Sequence, residues 1–248
     1  MTARLLIAYD GAGFSGWARQ PGLRTVQEAL EDALERVRRE PTRLTVAGRT
    51  DTGVHARGQV ASHDGEPAPA GSINGVLAPD VRVLASERAP DGFDARRDAV
   101  SRTYRYRVHA RRVASPFERG RALHWPHALD RPLLDRCAAL LPGTHDFTAF
   151  TPTDTYHVRF ERDVLRAEWL DEPDGVLAFW IEADTFMRHM VRTLVGSMLA
   201  VASGRREVGW FAELLEGRPR SENADTAPPH GLYLEAVAYP GDSPHEPT

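Results

Sequence analysis

A strand-like run followed by one strongly marked amphipathic helix constrains the fold of this chain more than any other feature of its sequence. Residues 3–9 are strand-like, and Thr25 and Glu28 then have the spacing of a helix capping box. Apolar residues recur at helical spacing after this cap until Pro41, namely Val26, Ala29, Leu30, Ala33, Leu34 and Val37. Residues 42–47 and 58–63 are again strand-like, so the first half is predicted to mix strands with helices.

The rest of the chain continues the same mixture. The further predicted elements are strands at residues 81–87, 103–108 and 232–238, helices at residues 132–141, 187–202 and 208–216, and a hairpin whose strands at residues 158–170 and 176–183 flank Asp174 and Gly175. Strands and helices therefore occur in both halves, which predicts two similar α+β units.

Length and composition narrow the class of protein. The 248 residues are 42% hydrophobic and 27% charged, which is typical of a globular protein with a sizeable core. No apolar run approaches the roughly 20 residues of a membrane span, and the amino terminus lacks the zones of a signal peptide. We therefore expect a cytoplasmic protein without a membrane partner. Cys137 is the only cysteine, which excludes an intrachain disulfide and a CxxC pair and predicts a buried packing residue.

Charge is segregated along the chain although its formal sum is only -4. Residues 96–112 contain seven arginines against the single acid Asp98, whereas residues 221–248 contain five acids and no basic residue apart from histidine. Arginines in such a cluster can bind the phosphates of a nucleic acid, or they can form a solvated charged face. Both readings remain open from the sequence.

The loop at residues 47–55 is unusually dense in polar side chains. Gly48 and Gly53 bracket Arg49 and Asp51, and glycines permit tight turns and the close approach of another molecule. A single aspartate in such a loop is most often a turn residue or a helix cap. The composition of the loop alone therefore does not predict catalysis.

The whole string GRTDTGVHA at residues 48–56 resembles the catalytic loop of the tRNA pseudouridine synthase A family. Further blocks follow in the order of that family over nearly the whole chain: residues 9–17, 24–28, 74–80, 93–96, 102–106, 146–147, 189–196 and 229–233. Ala18 and Asp94 depart from residues common in the family, and residues 151–161 depart from its usual pattern. These departures leave the catalytic loop intact but put the range of tRNA substrates in doubt.

The resemblance implies an isomerase that converts uridine to pseudouridine at positions 38, 39 and 40 of the tRNA anticodon arm. It implies two ferredoxin-like halves, expected at residues 1–108 and 109–248, whose antiparallel sheets join into one mixed sheet with a central active-site cleft. It also implies a homodimer and no cofactor. No HExxH pattern occurs, and His124 and His127 alone cannot supply the three or four ligands of zinc, so no metal is expected.

The family motifs also carry residue roles. Asp51 is implied as the catalytic carboxylate, and Arg192 as the cation that keeps it ionised. Tyr104 is implied as the catalytic tyrosine that packs against the target uracil. Arg49 is expected either to hold the displaced RNA backbone or to fill the gap that the extruded nucleotide leaves. Substrate contacts are also expected from three further residues, His55, Arg105 and Arg188.

Several of these residues also have structural interpretations. Arg192 lies one residue off an apolar stripe of the predicted helix, where an arginine is usually a surface residue, and Arg188 is expected one turn earlier on the same side. Tyr104 and Tyr106 share one face of a predicted strand, and core packing is expected for Tyr106, with solvated arginines on the opposite face. A catalytically silent RNA-binding protein and a nucleoside hydrolase remain alternatives to the synthase.

Overall fold

The computed structural model describes residues 1–155 and 158–242. By the contacts among its described residues the chain divides into unit 1, residues 1–102 with 233–242, and unit 2, which lies within residues 103–232. The division after residue 108 stays a prediction about the two folding halves.

Unit 1 is built from strands and helices in the order expected of a ferredoxin-like half. Its elements are β1 (Thr2–Tyr9), α1 (Val26–Arg38), β2 (Thr45–Val46), β3 (His55–Asp64), α2 (Ala70–Asn74), β4 (Val81–Ala89) and β10 (Leu232–Ala238). Strand β1 lies between β4 and β3, which are both antiparallel to it, and β2 pairs with the end of β3. Strand β10 is parallel to the beginning of β3.

Unit 2 again combines strands with helices. Its elements are β5 (Ser101–His109), β6 (Leu123–His124), α3 (Arg131–Ala138), β7 (Gly143–Asp146), β8 (Glu161–Glu172), β9 (Val176–Ala183), α4 (Met190–Ala202) and α5 (Val208–Leu214). The strand order is β5, β9, β8, β7, with β6 beside β5. Helices and a mixed arrangement of parallel and antiparallel strands in these units confirm the predicted α+β class.

Local sequence rules account for most of the elements. The Thr25 side chain caps α1 by accepting from the Glu28 backbone N–H at 3.4 Å, and Asp130 caps α3 in the same way. The hairpin of β8 and β9 turns at Asp174 and Gly175 as predicted, and β10 has the predicted bounds. Cys137 is fully buried, which confirms its packing role.

Several predicted elements differ from the structure in extent. The strand expected at residues 42–47 is reduced to β2, and the helix expected from residue 187 begins at Met190. His189 has a left-handed φ of 64°, which an α-helix cannot include. The short helix α2, which begins at Ala70, was not predicted from the sequence. The predicted strand at residues 158–170 begins later, at Glu161.

Candidate active site

The loop that carries Asp51 connects β2 to β3, and two glycines of unit 1 hold its backbone. A Cβ on Gly11 would lie 2.0 Å from the carbonyl oxygen of Val54, and one on Gly16 would lie 2.9 Å from the carbonyl oxygen of Thr50. Gly16 also has a φ of 85°, which favours glycine. Any side chain at Gly11 or Gly16 would collide with the backbone of the loop. The glycine-rich segment after β1 therefore packs closely against the loop and supports it.

Hydrogen bonds fix the loop on both sides of Asp51. The Trp17 backbone N–H donates to the Thr50 carbonyl oxygen at 3.0 Å, and the Thr50 hydroxyl lies 2.7 Å from the Tyr9 hydroxyl. Complete burial raises the pKa of Tyr9 to about 12, so its phenol stays protonated across neutral pH. On the other side, the Val54 N–H donates to the Asp51 carbonyl oxygen at 3.1 Å. Asp51 itself is half-exposed between these two fixed neighbours.

The beginning of the loop is held by an arginine whose role the sequence did not reveal. Arg102 is buried and donates from Nε and Nη2 to the carbonyl oxygen of Ala47, at 3.3 and 3.0 Å. Its guanidinium also donates to the carbonyl oxygens of Ala99 and Arg96. In the sequence, Arg102 belongs to the cluster of arginines at residues 96–112 that could bind phosphates. Its burial and the position of its acceptors assign it to the support of the loop.

Arg49 and His55, which flank Asp51 in the sequence, have different surroundings. Arg49 is exposed, whereas His55 opens β3 and is only 2% exposed. The His55 ring stacks on Tyr233 with a centroid distance of 4.7 Å. Its Nδ1 atom lies 3.0 Å from the Gly11 nitrogen and 3.1 Å from a carboxylate oxygen of Asp10. Nδ1 accepts from Gly11 when it is bare and donates to Asp10 when it carries a proton.

In unit 2, β5 carries the two tyrosines on one face. Tyr104 is 8% exposed, and its ring meets the edge of Phe186 at a centroid distance of 5.0 Å. Tyr106 is fully buried and donates its hydroxyl to the Pro228 carbonyl oxygen at 2.8 Å. Burial raises the pKa of Tyr106 well above its usual value. The predicted core role of Tyr106 is therefore confirmed.

The opposite face of β5 contradicts the expectation of solvated arginines. Arg105 is 9% exposed and donates to Glu172 at 2.6 Å, and Arg107 donates to the other oxygen of the same carboxylate at 2.8 Å. Arg107 also forms a two-point ion pair with Glu118, at 2.6 and 3.1 Å. Burial alone raises the pKa of Glu172, but the hydrogen bonds from Arg107 and Arg105 outweigh burial and lower it. Two arginines and two glutamates thus form a neutral network.

Arg192 lies on α4, and its main chain and side chain both contact one residue. Its Nε donates to the Ala227 carbonyl oxygen at 2.8 Å, and the Ala227 N–H donates to the Arg192 carbonyl oxygen at 3.1 Å. The residue is half-buried. These two hydrogen bonds fix the position of Arg192 against Ala227.

The expected position of Arg188, one helical turn before Arg192, is wrong. Arg188 lies in the turn before α4 because the left-handed His189 interrupts the helix. Its guanidinium pairs with Asp154, and its carbonyl oxygen accepts from the Thr151 hydroxyl at 3.2 Å. The segment around residues 151–154, to which the sequence assigned no role, therefore positions this turn.

The residues for which the structure gives positions form neither a metal site nor a membrane-spanning helix. No three His, Cys, Asp or Glu side chains of residues 1–155 and 158–242 are grouped so that they could hold a metal ion. Within the same ranges, no helix has both the length and the apolar character needed to cross a bilayer.

Comparison with known proteins gives one consistent result. A family model described as tRNA pseudouridine synthase matches residues 5–92 and 137–240. The tRNA pseudouridine synthase A of Frankia casuarinae is 48% identical over 246 residues, which cover 96% of this chain and 89% of that protein. The proteins of the same name from Streptomyces griseus and Methylacidiphilum infernorum are each 42% identical. The alignments cover 97% and 96% of this chain, and 88% and 96% of the two relatives.

The matched residues include Asp51 in unit 1 and Arg192 in unit 2. Residues 93–136, which contain Tyr104 and Arg105, lie between the two matched stretches.

Proposed function

The chain belongs to the tRNA pseudouridine synthase family, and we propose that it isomerises uridines 38, 39 and 40 of the anticodon stem-loop with Asp51 as the reacting carboxylate. It is an isomerase that acts on tRNA. The position of the target uridines and the roles of the individual residues are the parts that we propose.

The reaction rearranges one nucleotide without adding or removing atoms overall. The bond from uracil N1 to C1′ of the ribose breaks, the base rotates, and a bond from C5 to C1′ forms. A proton leaves C5, and N1 gains a proton. A carboxylate beside the sugar and base can form a covalent intermediate at C1′ or C6, or can stabilise positive charge that develops at C1′.

The observation that best supports this role for Asp51 is the support of its backbone. Thr50 on one side is held by Trp17 and Tyr9, and Val54 on the other side lies against Gly11. A half-exposed carboxylate on a backbone fixed in this way is preorganised for a reaction that requires accurate placement. A carboxylate that served only to cap a turn would not require such support.

We assign the remaining roles to Arg192, Tyr104 and Arg49. Arg192 is assigned as the cationic residue of the reaction, the role that the family motif implies for it. Tyr104 stacks on the detached uracil while it rotates, and Phe186 supports the tyrosine ring. Arg49, which is exposed, occupies the gap that the extruded nucleotide leaves in the RNA.

The exposure of each predicted substrate-binding residue decides whether it contacts the RNA directly or supports the residues that do. Arg188 is exposed and contacts the RNA itself. His55 and Arg105 are 2% and 9% exposed, so they support the binding surface from beneath. We also propose a homodimer in which one tRNA docks across both protomers, since two-fold symmetry presents each binding surface twice.

Nucleoside analysis of an unmodified tRNA transcript after incubation with the protein tests this function. The synthase is expected to form the C-linked isomer, and sequencing of the product should place it in the anticodon arm. Released uracil would instead identify a hydrolase, and binding without any new nucleoside would identify a silent RNA-binding protein.

Asp51→Asn tests the assignment of the carboxylate. The variant keeps the size of the side chain but loses the negative charge, so we expect no detectable product with an unchanged circular dichroism spectrum. Asp91→Asn is the matched control, because the Asp91 side chain is 90% exposed in a turn of the same unit. Full activity of Asp51→Asn would refute the proposed mechanism.

A further inference from the structure

The loop between β5 and β6, residues 110–122, presents an aromatic side chain to solvent. We call it the platform loop. Phe117 at its centre is 87% exposed, and Val113 is 77% exposed. Among the phenylalanine, tyrosine and tryptophan residues whose positions the structure gives, Phe117 is the only one with a largely exposed side chain. A single hydrophobic residue at the surface is common, so the exposure of Phe117 gains meaning only from the charge and the anchored backbone around it.

The platform loop is anchored close to Phe117. The Glu118 carboxylate, on the next residue, is held by the two-point ion pair with Arg107 of β5. The Glu118 carbonyl oxygen accepts from the N–H groups of Arg121 and Ala122, at 2.9 and 3.1 Å. At the start of the loop, the Ala110 N–H donates to the Gly175 carbonyl oxygen at 3.0 Å. The ring is therefore presented by a fixed backbone.

The charge of the platform loop favours a polyanion as its partner. Residues 110–122 contain four arginines, Arg111, Arg112, Arg119 and Arg121, and one acid, Glu118. Four arginines against one acid give the loop a formal surplus of positive charge, and Arg107 of β5 pairs with that acid. Guanidinium groups bind phosphates in a two-point geometry, and aromatic rings stack on bases whatever their sequence.

We propose that Phe117 is a stacking platform for an unpaired base of the tRNA, and that arginines of the platform loop bind the adjoining phosphates. The inference rests on the proposed function because it takes tRNA as the ligand. A second copy of the chain fits this surface less well. A symmetric contact centred on this loop would place the arginines of one loop against those of the other, and like charges repel at an interface.

Two substitutions separate stacking from general apolar contact. Phe117→Leu retains an apolar side chain but removes the π-face, whereas Phe117→Trp retains a face for stacking. We expect Phe117→Leu to weaken the binding of an unmodified tRNA transcript roughly five- to hundredfold and to raise KM with kcat unchanged. Phe117→Trp should bind at least as tightly as the parent protein. Leu165→Ala on β8 is the matched control, since Leu165 is 55% exposed, and its affinity should not change.

Binding should be measured together with pseudouridine formation and with sedimentation of the free protein. If the parent protein is active and Phe117→Leu binds tRNA equally well, the stacking proposal is overturned while the proposed function stands. A change in the oligomeric state of Phe117→Leu would show that Phe117 contacts a second copy, which also overturns it. If the parent protein neither binds nor modifies tRNA, the proposed function fails first and this inference fails with it.

Discussion

Gly11 and Gly16 determine how closely the Asp51 loop can approach the segment that follows β1. Both positions lack room for a Cβ because carbonyl oxygens of Thr50 and Val54 occupy the space. In the sequence they fell within the block of residues 9–17 that resembles the family, but nothing there showed what they contact. Their neighbours lie about 40 residues later in the chain, and only the folded backbone brings them together.

Substitution at Gly16 should disturb catalysis more than stability. We expect Gly16→Ala to move Thr50 and Asp51 and to lower kcat/KM at least about tenfold, since small misplacements of reacting groups are costly. Gly22→Ala is the matched control, because Gly22 also has a positive φ, of 73°, but has no atom within 4 Å of the added Cβ. Both variants should lose about 1 to 2 kcal/mol of the free energy of unfolding, as measured in urea. Equal activity of the two variants would contradict the role of Gly16.

Glu172 makes stability depend on acidic pH. Its pKa is lowered in the folded state, so its stabilising contribution is present above its unfolded pKa and is lost as pH falls through the folded value. We therefore expect the free energy of unfolding to decline below about pH 4, and to decline less steeply in Glu172→Gln.

The same variant tests the network of β5 at neutral pH. Glu172→Gln should lower the free energy of unfolding by about 2 kcal/mol, because two charge-assisted hydrogen bonds are weakened. Glu66→Gln provides the comparison, since Glu66 forms an ion pair with Arg88 while 57% exposed, and such pairs contribute little. Similar losses in both variants would show that the network of β5 is not stabilising.

Among the elements, α1 begins where its sequence predicts and α4 does not. The capping box and apolar spacing of α1 are local, so they predict its beginning well. The apolar pattern of α4 continues upstream of its true start. That helix begins three residues late because Arg188 and Thr151 hold the preceding turn, with His189 in a left-handed conformation. A helix boundary set by such a contact cannot be read from periodicity.

The cap of α1 can be tested directly. Thr25→Ala removes the acceptor of the Glu28 N–H and should lower the free energy of unfolding by about 1 kcal/mol in a urea titration. Thr25→Ser keeps the hydroxyl and should lose clearly less. If the serine variant were as unstable as the alanine variant, packing of the fully buried Thr25 methyl group would explain the effect instead.

Over the whole molecule, charge is arranged differently from what a count of arginines indicates. In the stretch of residues 96–112, Arg97, Arg102, Arg105 and Arg107 all donate to groups of the protein itself. Much of the apparent surplus of +6 therefore serves the fold. Neither a solvated face nor a phosphate-binding strip describes the entire cluster.

A salt titration of tRNA affinity distinguishes arginines that contact phosphates from arginines that are paired within the protein. Each phosphate contact adds about 1 to the slope of log affinity against log salt. Arg112→Gln, at an exposed position, should lower the slope by about 1. Arg107→Gln should leave the slope unchanged although it destabilises the protein, since Arg107 is held by Glu118 and Glu172. A smaller slope in Arg107→Gln would mean that this arginine reaches the RNA.

The amino-acid sequence was sufficient for the α+β class, for most strands and helices, and for the family, because periodicity, caps and the loop motif are short-range patterns. Folding was required to show which arginines are neutralised, why Gly11 and Gly16 are glycines, and that the Phe117 ring faces solvent. Each of these depends on distances between residues far apart in the chain. Strand register and helix packing fix those distances, and no local pattern encodes them.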